Sequence, residues 1–98
     1  MELKEGVTLA GLDIKMRPAL IAADKIWADL GQELVVTEAR GGTHSAGSLH
    51  PYGLALDLRI RYFSEETKIR AFDRLKTELG NSFQVVLHKT HIHVEYDT

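Results

Sequence analysis

Apolar residues recur every three or four positions in two stretches of the chain, and this spacing predicts two amphipathic helices. The first stretch covers roughly residues 16–30 and the second covers 65–79. Pro18 suits the first turn of the first helix, Ser64 is a good N-cap for the second, and a glycine follows each stretch where helices commonly end. The residues expected on the two buried faces are Met16, Ala19, Leu20, Ala23, Ile26, Trp27 and Leu30 in the first helix, and Ile69, Phe72, Leu75 and Leu79 in the second.

Shorter apolar stretches predict four β-strands, at 33–39, 54–60, 82–88 and 91–96. The second of these, LALDLRI, alternates strictly. Its leucines and isoleucine point to one face, whereas Ala55, Asp57 and Arg59 point to the other. Asp57 therefore need not lie in the core, although apolar residues flank it.

The last two predicted strands form a hairpin if residues 89–90 make a two-residue turn. His88 then faces His91, and the hairpin separates an apolar face from a polar one, which supports this register. Lys-Thr is an unusual sequence for such a turn, so a wider loop is the alternative. In either case His91, His93 and Glu95 share one face, because they alternate along the strand.

The predicted elements indicate an α+β domain in which a small antiparallel sheet carries two packed helices. Ninety-eight residues suffice for one compact domain, so we expect a single domain over 1–98. A hydrophobic fraction of 44% and a charged fraction of 27% are ordinary for a globular protein and exclude a disordered chain.

Charge and cysteine content exclude several functions. The net charge is −2 with no basic run, so we expect neither nucleic-acid binding nor attraction to an anionic membrane. The chain has no cysteine, which excludes disulfides and thiolate metal sites. Its N-terminal region has no apolar stretch of signal length, so we expect the protein to be made in the cytoplasm and to stay there unless another factor releases it.

Histidines and one carboxylate provide the candidate chemistry. His50 precedes the strand that carries Asp57, and His93 lies on the polar face of the last strand. Two imidazoles and one carboxylate form a catalytic zinc set that leaves one coordination position for water. The alternatives are ordinary surface or core histidines, and an aspartate that pairs with Arg59 or Arg61. The H-x-H pair alone is a weak signal, because alternate residues share a face in any strand.

Several spaced motifs resemble those of one family of zinc peptidases, in the same order along the chain. The pattern S-x-H-x-x-G-x-A-x-D is matched by Ser48, His50, Gly53, Ala55 and Asp57. The pattern H-x-x-H-x-H is matched by His88, His91 and His93, and Arg40-x-x-x-His44 resembles an R-S-x-x-H-N stretch. Over roughly residues 34–96 the chain thus resembles the zinc peptidases that include bacterial D-Ala-D-Ala carboxypeptidases and phage L-Ala-D-Glu endolysins. Their wider group also includes lysostaphin-like peptidases and the hedgehog domain.

The resemblance implies a role for each matched histidine and for the aspartate. His50, Asp57 and His93 would be the zinc ligands. His91 would stand beside the metal as a donor that stabilises the tetrahedral oxyanion. His88 would transfer a proton or hold His91 in place.

The resemblance also implies two substrate-binding residues and leaves the general base open. Arg40 would bind a substrate carboxylate or carbonyl with its planar fork, and Ser48 would line the same pocket. Many relatives have an Asp or Glu three residues before the last zinc histidine as the general base, but this chain has Thr90 there, which cannot take a proton. The histidine-rich solution of the carboxypeptidase branch is therefore favoured, with Glu95 as a second candidate.

The function implied by the resemblance is zinc-dependent hydrolysis of peptide bonds in peptidoglycan stems, by a monomer that acts on the cell wall. Bonds that involve D-alanine are the first expectation, and an endopeptidase cut is the second. A phage setting, as an endolysin or part of a virion, would bring such an enzyme to the wall. The alternative is a non-catalytic module of the same fold that keeps zinc for binding or structure, as in the hedgehog domain.

Overall fold

The computed structural model describes residues 1–39 and 54–97 of the chain. Within these residues, five strands form one mixed sheet in the order β1-β2-β3-β5-β4, and two α-helices pack with it around a single apolar core. The elements are β1 (Glu2–Leu3), α1 (Arg17–Asp29), β2 (Val35–Glu38), β3 (Ala55–Arg59), α2 (Glu65–Leu79), β4 (Phe83–Leu87) and β5 (His91–Tyr96). The predicted α+β class is confirmed.

Both predicted helices form close to their expected limits. A 3₁₀ turn, Ile14–Met16, leads into α1, and the Asp13 carboxylate accepts a hydrogen bond from the Lys15 amide at 2.9 Å. Helix α2 has the predicted bounds, and the Ser64 hydroxyl caps it by accepting from the Thr67 amide at 3.2 Å. Gly80 ends α2 with a φ of 64°, a conformation that favours glycine because it has no Cβ.

The predicted buried face of α2 is wrong at one position. Ile69 is 53% exposed, whereas Ala71 and Leu75 are fully buried. Ala71 and Leu75 are four residues apart and share a face, while Ile69 lies about 200° from Ala71 around the helix. A small residue, Ala71, thus occupies a position in the core.

The C-terminal hairpin has the predicted register. Val86 faces His93, Phe83 faces Tyr96, and the His88 amide donates to the His91 carbonyl at 2.9 Å across the short turn. Neither Lys89 nor Thr90 has the positive φ that a primed turn requires. The observed turn is therefore not of the primed type, and the Lys-Thr sequence is compatible with its backbone.

The expected sheet is purely antiparallel, but strand β1 makes the observed sheet mixed. Its two residues pair in parallel with β2, through hydrogen bonds from the Glu2 amide to the Leu34 carbonyl at 2.7 Å and from the Lys4 amide to the Val36 carbonyl at 3.0 Å. The N-terminal ammonium also contacts the Asp24 carboxylate at 3.2 Å. A two-residue strand is too short to show an alternating pattern, so the sequence could not indicate it.

Strand β3 is the central strand of the sheet and separates the core from the polar face. Leu56, Leu58 and Ile60 are fully buried on the core side, as the alternation predicts. Asp57 faces the opposite side, where its partner on β5 is His93. The prediction that the carboxylate lies off the core face is confirmed.

Candidate metal centre

Asp57 and His93 form the centre of the polar face. They are directly opposite each other on β3 and β5, where paired side chains in antiparallel strands lie close together. Oδ1 of Asp57 lies 2.7 Å from Nδ1 of His93, within hydrogen-bonding distance. Both side chains are largely covered, with exposures of 17% and 18%. The alternation of two separate strands therefore brings one carboxylate and one imidazole to the same point.

The second nitrogen of His93 also contacts a carboxylate. Nε2 lies 2.7 Å from Oε1 of Glu95, two residues further along β5. The hydrogen bond to Asp57 raises the pKa of the His93 imidazole above its usual value near 6.5, burial opposes the rise, and the hydrogen bond to Glu95 adds to it. In the metal-free protein, His93 is thus stabilised as an imidazolium between two acids.

His91 and His88 extend this row of side chains toward the hairpin turn. Nε2 of His91 lies 3.8 Å from Oδ2 of Asp57, which is an electrostatic contact rather than a hydrogen bond. The rings of His88 and His91 stack with their centroids 4.6 Å apart and their planes inclined by 21°. The Thr90 hydroxyl lies 3.3 Å from Nδ1 of His91. Among the described residues, three histidines thus form a row that leads from Asp57 toward the hairpin turn.

The core beneath this face holds the two site strands in place. Leu56 and Val94 are paired neighbours of the site residues on β3 and β5, and both are fully buried. Trp27 of α1 donates from its indole nitrogen to the Arg59 carbonyl at 2.8 Å and is fully buried. Buried side chains on one face therefore fix the backbone that presents Asp57 and His93 on the other.

The remaining predicted site residues, Arg40, Ser48 and His50, lie in the segment 40–53, outside the described residues. The motif residues His44 and Gly53 lie in the same segment. Among residues 1–39 and 54–97, no group of three or more histidine, aspartate or glutamate side chains is arranged to hold a metal ion. Of the predicted ligand triad, the described structure thus brings together Asp57 and His93.

The two described ligand candidates have donor atoms that suit zinc. Imidazole nitrogen and carboxylate oxygen bind zinc at about 2.0–2.2 Å, and two such donors in a tetrahedral site lie about 3.4 Å apart. The observed 2.7 Å between Asp57 and His93 is the distance of a direct hydrogen bond. The two distances differ by about 0.7 Å, so small side-chain rotations would bring both donor atoms to the spacing that a zinc site needs. The pair therefore fits one side of a zinc site.

Two glutamates belong to this face as well as the candidate ligands. Glu95, the second candidate for the general base, contacts His93. Glu38 is the partner of Asp57 on β2, because the register between β2 and β3 shifts after Val36. Such a shift is typical of a β-bulge, which re-aims side chains. Alternation alone could not place Glu38, because a bulge leaves no clear pattern in the sequence.

The fold and the site together define a small α+β domain with an acid–histidine cluster on the polar face of its sheet. No protein-family model matches this chain, and no curated protein sequence matches it. In the described part of the chain, neither helix is both long and apolar enough to cross a membrane.

Proposed function

We propose that this chain is a zinc metallopeptidase with a hedgehog/DD-peptidase-like fold, and that it hydrolyses peptide bonds in peptidoglycan stems. The observation that carries the proposal is the 2.7 Å contact between Asp57 and His93. These residues belong to two motifs that are far apart in sequence, and both motifs resemble zinc-ligand motifs of the same family. Their meeting on one polar face is what a shared ligand set requires.

His50 would complete the ligand set with Asp57 and His93. Zinc prefers nitrogen and oxygen donors of this kind, and a catalytic site keeps a coordination position open. When bound, the ion would supply Lewis acidity that polarises a carbonyl group and makes water nucleophilic near neutral pH. The chain supplies the geometry, since Asp57 and His93 are fixed by strand pairing rather than by a loop.

His91 and His88 would assist the reaction from the hairpin side. His91 lies 3.8 Å from the Asp57 carboxylate, so a substrate carbonyl held beside Asp57 would lie close to its ring nitrogen. A protonated ring there can donate a hydrogen bond to a developing oxyanion. His88 stacks on His91 and is more exposed, so it can exchange protons with solvent and hold the His91 ring.

Glu95 is a weaker candidate for the general base than the two histidines. Its Oε1 already accepts a hydrogen bond from His93 at 2.7 Å. A carboxylate held in this way orients the ring, and its Oε1 is already engaged. Thr90 has no basic group, so His88 and His91 are the groups to which we assign proton transfer.

Arg40 and Ser48 would bind the substrate, as the family resemblance suggests. A guanidinium suits the carboxylate at the end of a peptide stem because it can form two parallel hydrogen bonds. Bonds that involve D-alanine are the first candidates for cleavage, and an endopeptidase cut is the second. The partner would be the stem peptide of the wall, met by a monomeric enzyme in the setting of a phage endolysin.

The deciding experiment is a digestion of purified peptidoglycan. The zinc-loaded full chain is incubated with the polymer between pH 5 and 9, and new amino termini are identified by mass spectrometry. We expect cleavage that is lost in His93→Ala and retained in Glu78→Ala, which changes an exposed acid on α2. Absence of cleavage across the whole pH range would refute the enzymatic function.

The rival is a non-catalytic zinc module of the same fold. Thr90 favours it, since this position carries an acid in many of the peptidases that the chain resembles. Stoichiometric zinc without any cleavage would support this module. Absence of zinc, together with unchanged stability in His50→Ala, would refute both functions.

A further inference from the structure

The His93 ring has both of its nitrogens hydrogen-bonded to carboxylates. Nδ1 lies 2.7 Å from Asp57, and Nε2 lies 2.7 Å from Glu95. A histidine that binds a metal uses one deprotonated nitrogen, while the other nitrogen keeps its proton. The two acids therefore cannot play the same part in a metal site, and their positions determine which nitrogen is the ligand.

The positions of the two acids on the sheet differ. Asp57 is the direct partner of His93 on the neighbouring strand, and its other oxygen faces His91 at 3.8 Å. Glu95 belongs to the same strand as His93 and lies two residues further from the hairpin turn, opposite Ala55. Among the described residues, the Nδ1 side of the ring thus faces Asp57, which also lies near His91, and the Nε2 side faces Glu95.

We infer that Glu95 is a positioning residue, which accepts the Nε2–H of His93 and thereby presents Nδ1 as the metal-binding atom. The inference rests on the zinc site of the proposed function, but it concerns the tautomer and orientation of a single ring. A carboxylate behind a ligand histidine fixes the ring and makes its ligand nitrogen a better donor. Glu95 is only 20% exposed, so water competes weakly for this hydrogen bond.

The opposite assignment is chemically distinct. Glu95 and Nε2 would then bind the ion, and Asp57 would orient the ring from behind through Nδ1. The two assignments predict different protonated nitrogens and different responses to a Glu95→Gln substitution. A glutamine keeps a carbonyl oxygen that can accept from Nε2–H, but it is a poor replacement for an anionic ligand.

The test combines nitrogen NMR with zinc affinity on the full chain. Long-range proton–nitrogen correlation spectra of the ¹⁵N-labelled, zinc-loaded protein identify the protonated ring nitrogen of His93. We expect a proton on Nε2 and coordination through Nδ1. A proton on Nδ1 with coordination through Nε2 would overturn the inference.

Zinc affinity, measured by competition with a chelator, gives an independent result. We expect Glu95→Ala to weaken zinc binding about 10–100-fold, as the loss of a group that orients a ligand commonly does. Glu95→Gln should weaken it clearly less, because the acceptor is retained. The control Gln84→Ala removes an exposed side chain opposite Glu95 on β4 and should leave the affinity unchanged. Equal and severe losses in Glu95→Gln and Glu95→Ala would contradict the inference and make Glu95 a ligand.

The tautomer of His93 in the zinc-free protein tests the positioning role of Glu95 independently of the proposed peptidase function. At alkaline pH the neutral His93 ring carries one proton, which Asp57 and Glu95 compete to hold. Glu95→Ala should shift that proton toward Nδ1, whereas Gln84→Ala should not. An unchanged tautomer in Glu95→Ala would refute the positioning role even if the protein cleaves peptidoglycan, and a shifted tautomer would support that role even if it does not.

Discussion

Trp27 provides the sharpest test of how the core supports the site. It is fully buried in α1, and its indole nitrogen donates to the Arg59 carbonyl at 2.8 Å. Arg59 ends β3 and is the partner of His91 on β5. The substitution Trp27→Phe removes this donor and part of a ring that packs 5.9 Å from the ring of Phe63.

The expected loss of stability follows from two contributions. The partly buried Arg59 carbonyl loses its hydrogen bond from the indole, at a cost of about 1–3 kcal/mol. The smaller ring removes roughly two buried carbons, each of which contributes about 0.8 kcal/mol. Trp27→Phe should therefore lower the free energy of unfolding by about 2.5–4.5 kcal/mol. This is a large share of the roughly 5–15 kcal/mol by which domains are commonly stable.

Tyr62→Phe is the matched control. The Tyr62 hydroxyl donates to the Glu33 carbonyl at 2.7 Å in an exposed position, where water can replace it. We expect this loss to be about 0.5–1.5 kcal/mol. Urea unfolding followed by circular dichroism measures both values, since the chain has one tryptophan and fluorescence would be lost in Trp27→Phe. Losses that agree within about 0.5 kcal/mol would show that the buried hydrogen bond does not support β3 as argued.

Three further predictions concern the site and α2. Without zinc, the free energy of unfolding should fall as pH rises, because the pKa of His93 is raised in the folded protein. The stabilisation from the protonated ring is complete below the unfolded pKa near 6.5 and is lost above the folded pKa. Urea unfolding at several pH values should show a flatter pH profile in His93→Gln than in the unchanged protein, and an equal slope would contradict this. His88→Ala should lower peptidase activity at least about tenfold, because the stacked His88 ring is proposed to assist proton transfer to or from His91. Zinc content, measured by elemental analysis, should stay constant. Unchanged activity would remove His88 from the mechanism. Ser64→Ala should lower the free energy of unfolding by about 0.5–2 kcal/mol, because it removes the N-cap of α2, whereas Ser64→Gly should lower it by only a few tenths of a kcal/mol. Thermal unfolding of the two variants measures the difference, and equal losses of stability would exclude capping as the cause.

The elements with clear periodicity could be predicted from the sequence. Helix α2 has the expected bounds because a capping serine, an apolar stripe and a terminal glycine all agree. The hairpin register could be predicted because this pairing places the apolar side chains of both strands on one face and the polar side chains on the other. Each of these predictions rests on local pattern and on the direction in which side chains point.

The elements that depend on tertiary contacts could not be predicted. Strand β1 is held by backbone hydrogen bonds to β2 and has no side-chain pattern of its own. Ile69 is apolar and correctly spaced, but it is exposed, and Ala71 lies in the core. The pairing of Glu38 with Asp57 depends on a local register shift that only the paired strands reveal.

The candidate site shows the same division. The alternation of the strands predicts that His91, His93 and Glu95 share a face. The structure confirms it, because His91 and His93 both lie near Asp57 and Glu95 contacts His93. Which nitrogen of His93 faces which acid is a matter of ring orientation, and no sequence pattern determines it. The orientation of the ring therefore determines which acid each nitrogen of His93 contacts.

A purely structural ion pair would need only one histidine beside Asp57. Here His93 contacts the carboxylate directly, His91 lies 3.8 Å from its second oxygen, and His88 stacks behind His91. The additional histidines beside such a pair add little to the stability of a sheet face, whereas a metal site uses histidines as ligands and as donors to substrate. The pH dependence separates the two roles, because protons stabilise the ion pair and compete with a metal for the same nitrogen. Stability should therefore fall with rising pH in the zinc-free protein and rise over the same range when zinc is in excess, and a structural pair would show the first trend under both conditions.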